Sequence, residues 1–174
     1  MRLHAALLAA LLIAPAAGAA EPKLDAHFAP IAFLVDHCWR ADFPGGKLHD
    51  VQCFQSMYGG KLVHNTHEVN SDPPYRGTSV FSWDAANKRI RFHYFTSTGA
   101  VSEGYFDQRP DGIVIPERHV GDDGRVTVME SSYQPDGKKA YRVVTREHTA
   151  TGWVERRNLR YVRVDALKGT HRTP

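Results

Sequence analysis

Residues 77–104 read GTSVFSWDAANKRIRFHYFTSTGAVSEG. Two turn signals, Asp84-Ala85-Ala86-Asn87 and Thr98-Gly99, divide this stretch into three short segments rich in aromatic and β-branched residues. Such residues fit a pleated, half-buried surface, and turns this short join antiparallel neighbours. A four-residue loop at the first turn brings Trp83 near Ile90 and Phe81 near Phe92. A two-residue turn at Thr98-Gly99 sets Tyr94 opposite Glu103 and Phe92 opposite Tyr105. Side chains alternate with period two, so Phe81, Trp83, Ile90, Phe92, Tyr94, Glu103 and Tyr105 share one face. Ser82, Arg91, His93, Ser102 and Gly104 share the other. The first face is the better interior.

The same rhythm extends in both directions. Turn signals recur at Pro44-Gly45-Gly46, Gly59-Gly60, Asp72-Pro73-Pro74, Pro110-Asp111-Gly112, Asp122-Asp123-Gly124, Pro135-Asp136-Gly137 and Thr151-Gly152. Spacings of about 8–12 residues leave no room for crossover helices and predict about ten antiparallel strands. Ahead of them, Leu24 to Val35 carries apolar residues near helical spacing around Pro30, which predicts a short helix broken or bent at the proline. The expected fold is all-β: an up-and-down barrel of about ten strands with a short N-terminal helix, closure being the direct way to remove exposed edges. An open sandwich is the structural alternative.

The chain has 174 residues, 42% apolar and 24% charged, with a net charge of +3. That suits one globular domain and excludes disorder as the governing state. The basic residues form no dense block of the kind that phosphate neutralisation rewards, so no nucleic-acid partner is expected.

The N-terminus has a different character. Met1-Arg2 precedes an apolar run from Ala5 to Ala17, then small residues at Gly18, Ala19 and Ala20. This is the layout of a secretory signal peptide cut near Ala20, with an apolar centre short for a stable membrane span. Residues 1–20 are therefore expected to be a signal peptide, 21–165 the barrel domain and 166–174 a flexible tail, in a periplasmic or secreted protein. Cys38 and Cys53 are the two cysteines, and in an oxidising compartment they are expected to pair across a hairpin centred on Gly45-Gly46. A redox-active or metal-bound pair is the alternative, without a second ligand pair at a recognised spacing.

An interior of this kind suits a small hydrophobic or amphipathic ligand. Phe81, Trp83, Phe92, Tyr94, Glu103 and Tyr105 are the candidate contacts, with the carboxylate and hydroxyls orienting the ligand. The alternative is packing, with the tyrosine hydroxyls bonded to neighbours and Glu103 paired to an arginine. Late in the chain, alternation lets Arg157 and Arg163, or Arg156 and Arg160, point inward; Arg157 is the preferred partner. His64 and His67 lie three apart and point to opposite faces of a strand, so they cannot share a metal. No nucleophile elbow, phosphate-binding glycine loop or zinc-binding helix motif occurs, and no catalytic or metal-ligating residue is assigned.

A short helix, Cys38-Trp39-Arg40 on the first strand, and a meander ending in an arginine-bearing strand together resemble the calycin barrels. Lipocalins carry Gly-x-Trp on the first strand and a late arginine across that indole. Trp39 stands at the tryptophan position, whereas Asp36-His37-Cys38 supplies no glycine two residues before it. The strand number resembles the fatty-acid-binding and nitrobindin-like branches, and residues 77–104 resemble bacterial lipocalin-like proteins of unassigned function. The resemblance implies small-molecule binding. Nitrobindin-like proteins hold haem through a histidine near the C-terminal strand; Trp153–Val164 contains none, and His148 reads as an exposed turn residue. No cofactor is assigned, haem being the one the resemblance raises. Three classes of function follow: an exported barrel holding an apolar or amphipathic ligand, an isomerase- or lyase-type enzyme using Glu103 and Tyr94 in the same cavity, or an accessory protein acting through its surface. Stable membrane insertion is not expected, and oligomeric state is left open.

Overall fold

The computed structural model describes residues 23–164; the signal peptide and tail expected above lie outside them. A 3₁₀ helix (η1, Ala26–Ile31) precedes eleven strand segments: β1 (His37–Asp42), β2 (His49–Met57), β3 (Leu62–Val69), β4 (Tyr75–Asp84), β5 (Arg89–Thr96), β6 (Val101–Tyr105), β7 (Asp107–Arg109), β8 (Gly112–Val120), β9 (Val126–Pro135), β10 (Ala140–Thr149) and β11 (Gly152–Val164). Each of the nine turn signals falls between two of these segments. Every strand pairs antiparallel with its chain neighbour up to β6, and β1 pairs with β11. A β6–β8 pairing closes the cylinder. The short β7 continues β6 along β8 after a break at Phe106, so the barrel counts ten strands. It is consistent with a calycin-like barrel.

η1 plugs one end. Asp25 caps it, accepting from the His27 backbone N–H at 3.1 Å, and Pro30 is tolerated because so short a helix needs few internal N–H donors. Phe28, Ile31, Leu34 and Val35 are buried in the barrel core. Trp39 meets this plug: its indole N–H donates to the Leu34 carbonyl at 3.2 Å, and its ring stands edge-on to Tyr141 at 5.0 Å. Tyr141 thus packs at the indole edge, and Arg163 of β11 is the cross-strand partner of Trp39.

Cys38 and Cys53 are paired residues of the β1–β2 hairpin and form a disulfide. The hairpin is centred on Gly45-Gly46, as the sequence predicts. Trp39 points inward, so its chain neighbour Cys38 and the bridge lie on the outer face.

The β5–β6 register differs from the sequence reading by one residue. Thr96 and Ala100 close a three-residue loop in which Gly99 has φ +90° and donates to the Thr96 carbonyl. A three-residue loop with a left-handed glycine is a standard hairpin solution. Consequently Tyr94 pairs with Ser102, His93 with Glu103, Phe92 with Gly104 and Arg91 with Tyr105. A slip of one residue inverts every side chain on the strand. Ser102 and Gly104 therefore face inward, whereas Glu103 and Tyr105 face outward, against expectation.

Candidate functional site

The interior is apolar near η1, where Phe54, Phe81, Phe106 and Ile113 pack together. It turns polar toward the opposite end. There a cavity of about 370 Å³ opens, with Phe43, Val69, Phe92, Ile115 and Met129 as apolar wall.

A belt of inward polar side chains rings this cavity, one or two from most strands. On one side, β2 supplies Asp50 and Gln52, and β3 supplies His67. Asp50 is completely buried. It accepts hydrogen bonds from the Tyr161 hydroxyl (2.6 Å), the Gln52 amide (3.0 Å) and His67 Nδ1 (3.1 Å). Burial pushes the Asp50 carboxyl up, but the hydrogen bonds from His67, Tyr161 and Gln52 outweigh it and hold the group below the usual range. A carboxylate only accepts, so Nδ1 of His67 carries a proton. In the neutral ring Nε2 is then an acceptor, 2.7 Å from the Tyr94 hydroxyl. Tyr94 in turn lies 2.9 Å from the Tyr75 hydroxyl. The chain Asp50–His67–Tyr94–Tyr75 thus runs from the barrel wall to the cavity. Gly77 makes the central bond feasible: a Cβ there would overlap both the His67 and Tyr94 rings.

On the other side, the Ser131 hydroxyl donates to Glu117 at 2.8 Å and lies 3.1 Å from Thr145 Oγ1. Ser102 Oγ is 2.9 Å from His119 Nδ1. Burial raises the Glu117 carboxyl despite bonds from Ser131 and Ser102 and the nearby Arg157 charge. Arg157 completes the belt. Burial would lower its pKa, but Tyr161, Tyr133, Asp50 and Tyr94 around it act in the opposite sense and prevail, so the guanidinium is charged. Burial pushes neighbouring Tyr133 up to about 12. Arg157 forms no hydrogen bond or ion pair with the described residues, and its Nε is buried without a partner. The pairing skips Arg156, between Thr145↔Arg157 and Arg146↔Glu155. A bulge of this sort re-aims side chains beside a site. Arg160 binds Asp136 on an exposed face, while Arg156 binds Glu147 and also borders the cavity.

Of the residues singled out from sequence, Phe92, Tyr94 and Arg157 line the cavity. Phe81 lies in the packed core. Trp83 is at the η1 end, stacked on His27 at 3.9 Å, and borders a wider recess of about 900 Å³ whose Arg89 and Asp107 already pair at a half-exposed surface. Glu103 contacts Arg91 at 3.3 Å on the outer face, and Tyr105 donates to Asp84 at 2.9 Å, so neither can orient a ligand inside. An acid–base role for Glu103 in the cavity is withdrawn with that placement. His64 and His67 do lie on opposite faces, as expected, and His67, weighed from sequence only as half of a metal pair, is central to the belt. Asp50, Gln52, Glu117, His119 and Ser131 were not selected. A signal for two of them was present: the disulfide register pairs Trp39 with Gln52 and Ala41 with Asp50, which sends both polar residues inward with Trp39.

The C-terminal strands do not fit haem ligation of the nitrobindin type. The histidine of β10–β11, His148, is exposed and packs edge-on to Trp153. His67, which faces the cavity, has both ring nitrogens engaged. Among the described residues, no group of acidic, histidine or cysteine side chains is arranged to hold a metal ion, and no helix is long and apolar enough to cross a membrane. The disulfide is consistent with an extracellular or periplasmic protein. A scan against protein-family models and a search of curated proteins both return no match.

Proposed function

We propose that this is an exported small-molecule-binding barrel that holds an amphipathic ligand with its anionic end against Arg157. The observation carrying this reading is the half-buried Arg157 at the cavity, whose Nε is shut away from water without a partner. A buried charge persists where something compensates it, and here the protein leaves one donor of a charged group unsatisfied. An anionic oxygen would take that donor, while Phe43, Val69, Ile115 and Met129 would cover an apolar body. The cavity volume lies at the small end of ordinary ligand sites, which suits a medium-chain or single-ring molecule. The outward placement of the disulfide, and the leader-like sequence of residues 1–20, support export.

Native mass spectrometry of the protein secreted by its own host tests this reading. We expect a stoichiometric small acid that is retained in the folded protein and lost from an Arg157→Met variant. Protein that carries nothing, and that shows no saturable binding to medium-chain carboxylates, would contradict it.

A further inference from the structure

Resting on that binding reading, we infer that the cavity is also an acid–base site for 2-oxocarboxylates. In it Tyr94, backed by His67 and Asp50, takes a proton from the carbon beside the ligand's carbonyl while Glu117 protonates the carbonyl oxygen.

The observations are two proton-handling groups, Tyr94 and Glu117, lining the same cavity as the Arg157 cation. Asp50 fixes His67 with Nδ1 protonated, which aims the free Nε2 at the Tyr94 hydroxyl. Tyr94 therefore donates to His67, and Tyr75 donates to Tyr94. This leaves Tyr94 a further lone pair, and the residue lines the cavity. A lone tyrosine in this setting is a poor base, because burial pushes its hydroxyl far above the usual phenol range. The relay avoids a phenolate. As Tyr94 Oη accepts a proton from ligand carbon, its own proton passes to His67 Nε2, and the new imidazolium rests against the Asp50 carboxylate. Charge thus ends as an ion pair already built into the wall.

The opposite half of the step needs an acid. Glu117 faces the same cavity and is held toward its protonated form by burial. Arg157 lines the same cavity as Tyr94 and Glu117, so an anion held on it shares that space with both. A 2-oxocarboxylate fits these three groups. Its carboxylate takes the guanidinium and its carbonyl takes the Glu117 proton. The carbon beyond the carbonyl, the most acidic C–H position, meets Tyr94. The C–H pair becomes the C=C bond, the C=O π pair moves to oxygen, and the product is the enol. One proton has entered at His67 and one has left Glu117, and the reverse step restores both.

The probe is 2-oxooctanoate in D₂O, with deuterium entry at C3 followed by proton NMR and binding measured separately by calorimetry. We expect saturable binding and exchange at least about 10²-fold above buffer. Tyr94→Phe should retain binding within about threefold yet lose most of the exchange, in line with the usual size of acid–base catalysis. His67→Gln, which tests a positioning residue, should show the same split between affinity and rate. Glu103→Gln, on the outer face, should match the native protein in both. Near-ultraviolet circular dichroism verifies each fold, and His67→Gln decides the matter if Tyr94→Phe fails to fold. Binding without exchange above buffer, or unchanged exchange in a folded Tyr94→Phe or His67→Gln variant, would overturn the acid–base site and leave the binding reading intact. Absence of binding would overturn both.

Discussion

Trp39 shows how much one side chain can decide. It is 1% exposed, with Tyr141 against its ring and the Leu34 carbonyl on its N–H, so it fastens the helical plug to the barrel. Trp39→Ala is expected to cost about 3–5 kcal/mol, read as a lower urea midpoint, because the cavity it leaves cannot collapse inside a closed barrel. At the other end Glu117 carries a cost rather than a benefit. Its folded-state pKa is raised, so the native state favours the protonated form. That advantage is complete below the unfolded value of about 4.3 and is lost as pH rises through the folded value. Glu117→Gln should therefore raise Tm by several degrees near pH 7 and by less near pH 4. Asp50 has the reverse sign. Its lowered folded pKa gives stability that is present above the unfolded value of about 4 and lost on acidification. An Asp50→Asn variant should show a flatter acid limb of stability against pH.

Among the elements, hairpins with strong turn chemistry were legible and the one with a permissive turn was not. The β1–β2 hairpin is fixed by glycines at φ +89° and +68° and by the Cys38–Cys53 bridge. Removing the bridge with Cys38→Ser and Cys53→Ser closes no loop of 15 residues in the unfolded chain, and should lower stability by about 3 kcal/mol in a denaturant titration. An unchanged midpoint would show that the hairpin holds itself. At Thr98-Gly99 the sequence admits a two- or a three-residue loop. The three-residue form prevails because Thr96 Oγ1 also binds the Ala100 backbone at both N–H and carbonyl. That single residue placed Glu103 outside and Ser102 inside. The polar belt escaped notice for a second reason: β2 places Asp50 and Gln52 inward with Phe54 and leaves Val51 on the outer side, opposite to the usual apolar-in pattern. Alternation gives parity, but only cross-strand partners reveal which parity faces the core. Gly77→Ala on β4 tests the belt directly, since the added methyl would force apart His67 and Tyr94. Weaker ligand binding with little change in secondary structure is the expected result.

At the scale of the molecule, closure through β6 and β8 converts a meander into a container with two unlike ends. η1 and the aromatic core fill one end, so the free volume and the interior polar groups collect at the other. The barrel class was legible because nine turn signals in a short chain leave few other ways to satisfy strand edges. The site was legible only in part, as Phe92, Tyr94 and Arg157, because its remaining members are brought together by pairings distant in sequence, such as Tyr161 with Asp50 across 111 positions. The proposed ligand binding rests on the charge of Arg157. Parallel calorimetric titrations of the native protein and Arg157→Met with decanoate and with decanol, equal in chain length and unlike in charge, address it directly. Native protein should bind decanoate at least about tenfold more tightly than decanol, as a charged hydrogen bond in a buried site would give, and the substitution should abolish that difference. Equal affinity of the native protein for the acid and the alcohol, or no saturable binding of either, would contradict the account.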